Sequence, residues 1–283
     1  MARSSFLSAL ALVLFSPAVL AQSDNCAEIT PRAGFNTVAM QAGGRPTAAV
    51  LNTGILPIGI SKSLAESLGA NIEPVPSRNR VWSAIPAIVG QVGDVPITLF
   101  EQDLEIDRMY VLDNPGEFVY LSLLMFDSFV IQMNLAQSKL CFMKRSAVNL
   151  KESANLKMKL LQGRMAIQVA INKQEPVWLD VQLEYPGALR LTRDAAIELG
   201  LTSEDSSATS STVDTLMFGP YELGNINVAF PGALTAGGDQ AAQQRMGRRS
   251  GGQQASGAVG YEVLKHFVTT FDLETERMNV YVP

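Results

Sequence analysis

Two stretches of this 283-residue chain follow the same plan in the same order. That internal similarity restricts the fold more than any single motif does. The first stretch runs from Arg45 through Leu51-Asn52-Thr53-Gly54 to Ile60-Ser61 and on to Leu68-Gly69. The second runs from Glu175 through Asp180-Val181-Gln182-Leu183-Glu184 to Leu191-Thr192 and on to Leu199-Gly200. Each reads as strand, turn, short strand and helix. Ser61 and Thr192 suit a helix N-cap, and Gly69 and Gly200 suit the position just past a helix end. A second block matches too. Phe129–Phe142 lies opposite Phe267–Val280, and both read as strand, polar turn, strand. Short helices are expected ahead of these, over Leu121–Ser128 and Tyr261–His266.

Between the blocks lie apolar runs of strand length: Ala87–Val92, Val95–Phe100 and Met109–Leu112, then Thr215–Phe218 and Ile226–Phe230. Gly90, Gly93, Gly219 and Gly224 punctuate them. The polar stretch Lys144–Asn155 reads as the boundary between copies. The expected organisation is a leader over 1–21, a first domain over 22–146, a linker over 147–155 and a second domain over 156–283. Residues 232–257, rich in Gly, Gln, Ala and Ser, read as a flexible loop within the second domain. Hydrophobic residues make up 47% and charged residues 17%, enough apolar material for packed cores. The formal net charge of −5 leaves no basic footprint for nucleic acid.

The N-terminus reads as a secretory signal. Arg3 supplies a positive start, Phe6–Phe15 an apolar core, and Val19-Leu20-Ala21 a cleavage site. An apolar core of that length is too short to span a bilayer. No transmembrane segment is expected after cleavage near Ala21, and the mature protein is expected in the periplasm or outside the cell. In such an oxidising compartment, Cys26 and Cys141 can form a disulfide tying the N-terminal extension to the first domain's last strand.

The segment Ala49-Val50-Leu51-Asn52-Thr53-Gly54, followed by Ile60-Ser61 and a helix ending at Leu68-Gly69, resembles the active-site segment of retropepsin-like aspartic peptidases. In that family a strand delivers Asp-Thr/Ser-Gly and a short Ser-led helix follows. The block Val259-Gly260 through Leu264 and Phe267 to Phe271-Asp272 and Arg277-Met278 resembles the family's closing helix and hairpin. The resemblance covers most of residues 30–283, twice over. It implies a mainly β fold of two tandem β-barrel lobes with a few short helices.

The chemistry of that family needs two carboxylates a hydrogen bond apart, sharing one proton, one from each lobe. The first copy carries Asn52 at that position, with Thr53 and Gly54 kept. The second brings Gln182 or Leu183 to it, depending on where one inserted residue is placed. No Asp-Thr/Ser-Gly occurs anywhere, and the nearest triplet, Asp214-Thr215-Leu216, lacks the glycine. Asp180 and Glu184 are the weak carboxylate substitutes, and Glu184-Tyr185-Pro186 replaces the small Thr-Gly pair with bulk. A single His266 with two distant cysteines offers no metal site, and neither a nucleophile elbow nor a phosphate-binding loop is present. Neither metal nor cofactor is expected. Trp82 and Trp178 read as core or cleft wall.

The expected function is therefore that of an exported pseudo-peptidase: a module binding or scaffolding a peptide or protein of the cell envelope, with its two lobes paired intramolecularly. Asn52, Thr53 and Gly54 would line the floor of its peptide groove, and hairpins near Val81–Val92 and Thr212–Leu223 would act as flaps. The alternatives are an aspartic endopeptidase, active alone or completed by a partner, and a structural subunit of an envelope assembly.

Overall fold

A computed structural model describes residues 25–54, 58–75, 88–231 and 254–283. The expected signal segment, Trp82, most of the Val81–Val92 hairpin and all but the end of the 232–257 loop lie outside these residues.

The fold is mainly β, with barrel-type sheets and a few short helices. The first elements are β1 (Asn25–Arg32), β2 (Phe35–Ala42), β3 (Arg45–Asn52), β4 (Ile58–Ser61) and α1 (Lys62–Ser67). Next come β5 (Ile88–Gly93), β6 (Ile97–Leu99), β7 (Gln102–Leu104), β8 (Arg108–Leu112) and β9 (Phe118–Ser122). A 3-10 turn at Leu123–Phe126 leads to β10 (Val130–Asn134) and β11 (Lys139–Met143). After α2 (Leu150–Ser153) follow β12 (Leu156–Leu161), β13 (Arg164–Ile171), β14 (Val177–Val181), β15 (Leu189–Leu191) and α3 (Arg193–Glu198). The last elements are β16 (Ser210–Phe218), β17 (Tyr221–Ala229), β18 (Gly257–Val259), α4 (Tyr261–Leu264), β19 (Val268–Asp272) and β20 (Arg277–Tyr281).

The described residues divide into two compact units, one drawn from 39–50, 58–75 and 88–121, the other from 25–38, 51–54, 122–231 and 254–283. This division cuts across the expected boundary at 147–155. The physical reason is a sheet in the larger unit that recruits strands from both sequence halves, in the antiparallel order β1–β11–β10–β19–β20–β12. Strands that exchange backbone hydrogen bonds stay together whatever their separation in sequence. The expected linker is itself structured: α2 occupies Leu150–Ser153, and Leu150 is buried.

In the smaller unit, β4 lies between β8, to which it runs parallel, and β9, to which it runs antiparallel. In the larger unit, β15 lies in the same way between parallel β17 and antiparallel β18. A helix follows each of these strands. Ser61 Oγ accepts from Leu64 N at 3.4 Å and Thr192 Oγ1 from Ala195 N at 3.2 Å, so both expected caps form. Gly69 and Gly200 end the helices at φ +68° and +69°, a left-handed conformation that a side chain would disfavour. The expected hairpin over Thr212–Leu223 is the turn region of β16–β17, in register from Ser210↔Ala229 to Phe218↔Tyr221.

The larger unit's core is aromatic and aliphatic. Phe218 stacks against Phe267 at 4.8 Å between ring centroids, and Phe126 against Phe142 at 4.6 Å. Full burial of side chains such as Phe267 and Phe271 stabilises by about 1.5–3 kcal/mol each. Cys26 sits directly opposite Cys141 across β1 and β11, and the two form a disulfide, as the cysteine pair implies. No helix among the described residues is long and apolar enough to cross a membrane.

Candidate functional site

The end of β3 and the end of β14 meet within the larger unit. Thr53 is 1% exposed, and its hydroxyl donates to the carbonyl of Val181. Asn52 is the residue before this donor, and Gln182 is the residue after this acceptor. The bond therefore holds two amide side chains within one residue of it, one on each strand. A buried hydroxyl needs such a partner, since an unpaired one would keep its desolvation cost.

The surrounding contacts fix both turns. Gly54 N donates to Asn52 Oδ1 at 3.0 Å, a local Asx-type bond that shapes the turn. Ser122 Oγ donates to Gly54 O at 3.1 Å, and Asn36 Nδ2 to Leu183 O at 3.4 Å. Gln182 N donates to Val259 O at 2.9 Å, extending the parallel β14–β18 pairing by one residue. Beyond Gln182 the backbone turns sharply through Tyr185-Pro186-Gly187 against Gly260. A Cβ at Gly260 would lie 2.3 Å from Gly187 O and 2.4 Å from Tyr185 Cδ1, so no side chain fits there.

Of the two alternatives in the second stretch, Leu183 is only 2% exposed and packs inward, while Gln182 is half-buried. Gln182 Oε1 accepts from Arg190 Nη2 at 2.5 Å. The Arg190 guanidinium also lies over the Tyr185 ring, 5.1 Å from its centroid. Sequence reasoning missed Arg190. Its only signal was a cation in the short strand ahead of Thr192, where the first stretch has Gly59 ahead of Ser61.

The two candidate acids are placed differently. Asp180 is buried and ion-paired with Arg164, Nη1 to Oδ2 at 3.2 Å. Burial nonetheless raises its carboxyl above the usual range, against the lowering influence of Arg164 and Arg190. Glu184 keeps a solvent-exposed surface but is ringed by protein atoms. That crowding raises its carboxyl, opposed by its own backbone, Arg190 and Arg164, and assisted by Asp180. Among the described residues no three His, Cys, Asp or Glu side chains converge to hold a metal. His266 is exposed and makes no side-chain bond to a serine or an acid among them. Trp178 is half-buried under the Lys159 ammonium, 3.9 Å from its ring centroid.

No family model and no curated protein matches this sequence. Among solved structures it is similar to a retropepsin-like aspartic protease from Rickettsia conorii, at 14% identity and a TM-score of 0.30, covering 45% of this chain and 90% of that one. It is also similar to Basic 7S globulin from soybean, at 10% identity and a TM-score of 0.47, covering 91% of this chain and 94% of that one. Neither likeness carries information on activity.

Proposed function

We propose that the protein is an exported, tandemly duplicated relative of retropepsin-like aspartic peptidases that has lost its acids and works as a peptide- or protein-binding module of the cell envelope. One observation carries this reading. The two strand ends tied by the Thr53–Val181 bond carry Asn52 and Gln182, two amides, where the resemblance calls for two carboxylates. An amide neither accepts the proton of an attacking water nor shares an acidic proton with its partner.

Several registers support the duplication. Gln132 pairs with Thr270 across β10–β19, and the sequence blocks make these two each other's counterparts. The flanking pairs mirror one another about them: Val130 faces Asp272 as Asn134 faces Val268. The β1–β2 and β12–β13 hairpins share a register too, Ile29↔Val38 through Arg32↔Phe35 against Met158↔Ile167 through Leu161↔Arg164. The β4 and β15 arrangements repeat each other strand for strand. Export is supported by the N-terminal composition and by a disulfide of the kind that persists outside the cytoplasm.

The mature protein, incubated with unfolded peptides between about pH 4 and 7, where such acids titrate, is expected to bind them without cleaving them. Pepstatin-sensitive cleavage that Asn52→Ala abolishes would overturn the proposal. If the competing endopeptidase reading held, its acid would be Glu184, with its raised carboxyl beside Gln182, and Glu184→Gln would abolish the cleavage.

A further inference from the structure

The unengaged polar groups around Asn52 and Gln182 restrict what can sit there. An amide offers one acceptor oxygen and two N–H donors. Asn52 has its oxygen engaged by Gly54 N, and Gln182 has its oxygen engaged by Arg190. Neither Nδ2 of Asn52 nor Nε2 of Gln182 has a protein partner among the described residues, and neither is sealed from solvent. Arg190 makes no ion pair among those residues, and its Nε and Nη1 donors are likewise unengaged. It is exposed, yet it is steadied by Gln182 on one side and the Tyr185 ring on the other. Asp180 and Glu184 feel the Arg190 charge, but Asp180 is committed to Arg164 and Glu184 makes no ion pair with Arg190. Each amide oxygen already accepts one bond, while the N–H groups of both amides and of Arg190 remain to be donated, and one of these donors carries a full positive charge. A peptidase dyad is the opposite, a pair of acceptors around one proton.

We propose that Asn52, Gln182 and Arg190 form a carboxylate receptor, so that the peptide bound here presents an anionic carboxylate to the cluster. The inference rests on the peptide-binding reading and names the ligand chemistry for that site. The carboxylate comes from the C-terminus of the peptide or from an Asp or Glu side chain within it. Arg190 supplies the charge-assisted bond that tells a carboxylate from an amide, because guanidinium and carboxylate geometries match.

The test uses the full mature protein and a short, unstructured, fluorescently labelled peptide. The peptide is prepared with a free or an amidated C-terminus, and with an internal Glu or Gln, and binding is read by anisotropy. At least one carboxylate form is expected to bind roughly ten- to hundredfold tighter than its neutral twin, as a charge-assisted bond allows. That advantage should shrink as salt rises. The two pairs of peptides identify which source of carboxylate is taken. Arg190→Gln is expected to erase the advantage and Arg190→Lys to keep part of it. If Arg190→Gln fails to fold, Gln182→Glu decides instead, since it places an acceptor against Arg190 and should erase the advantage as well. Equal affinity for charged and neutral twins overturns the inference, as does an advantage that survives whichever of these two substitutions folds. Binding without carboxylate preference removes this inference alone, pepstatin-sensitive cleavage removes the pseudo-peptidase reading, and no binding by any peptide removes both.

Discussion

At the scale of single residues, the most informative atom is the Thr53 hydroxyl. It is buried and serves a carbonyl 128 positions further along the sequence, so its loss strands an acceptor inside the larger unit. Thr53→Val keeps the shape and removes the donor. It is expected to lower unfolding stability by about 1–3 kcal/mol in denaturant titrations. A loss close to zero would mean that the bond between the two strand ends contributes nothing. The sequence made Thr53 legible, because Thr-Gly follows Asn52. It left Gln182 and Leu183 unresolved, since one inserted residue slides the second stretch by a position against the first. Burial settles which of the two packs inward, and burial depends on partners distant in sequence. Arg190 was invisible for the same reason: a lone arginine in a short strand gains meaning only from Gln182 and Tyr185.

A second residue-scale expectation concerns Asp272, which ends β19. Its Oδ2 accepts from Arg145 Nε at 2.9 Å, and its Oδ1 accepts from Glu274 N at 3.1 Å. Arg145 also pairs with Glu274 and donates to Asp127 O. Burial pushes the Asp272 carboxyl up, but the bonds from Arg145 and Thr275 outweigh it and hold the group below the usual carboxylate range. A carboxyl depressed in the folded state binds its proton more weakly there than in the unfolded protein. Its contribution is complete above the ordinary Asp value and fades as pH falls through the lower, folded one. Arg145→Gln is therefore expected to cost about 1.5–3 kcal/mol near neutrality. The gap from the parent protein should close as pH drops below the ordinary Asp value of about 3.9. A gap that widened in acid would contradict this assignment.

At the scale of elements, the β18–α4 turn packs tightly against the loop at Tyr185–Gly187. Tyr261 N donates to Tyr185 O at 2.8 Å and Gly260 N to Ala188 O at 2.9 Å, so the two segments cannot separate without losing both bonds. Gly260→Ala is expected to destabilise by about 3 kcal/mol or more, because its Cβ meets backbone rather than a flexible side-chain end. Gly224 in β17 is the contrasting case. Its nearest neighbour to an added Cβ is Asp214 O at 3.6 Å, and Gly224→Ala should be neutral or stabilise by up to about 1 kcal/mol. Thermal unfolding of the two variants side by side checks the difference in sign. Helices and hairpins were the most readable elements in the sequence, since Ser61, Thr192, Gly69 and Gly200 mark their own ends through local chemistry. The polar segment 147–155 was less readable. Its Leu150 is buried, and the charged and amide residues around it conceal that.

At the scale of the whole molecule, the disulfide is the longest covalent closure. Cys26 and Cys141 are 115 residues apart in sequence. In the loop-entropy picture, closing a loop of that length restrains the unfolded polypeptide by about 4–5 kcal/mol. Replacing both cysteines with serine is expected to lower stability by up to that amount. A reductant should shift the parent protein's unfolding midpoint toward that of the double variant and leave the double variant unmoved. The division into compact units was not readable from the similarity of the two stretches, because similarity records which segments are alike and not which strands become neighbours.

The sheet ordered β1–β11–β10–β19–β20–β12 joins strands from early in the sequence to strands from late in it. Until Tyr281 has been synthesised, β12 lacks β20 on one flank, and until Asp272 has been, β10 lacks β19. A nascent polypeptide halted before these residues therefore exposes two unpaired strand edges. The sheet cannot close until β19 and β20 have both been made, so its two halves fold together or not at all.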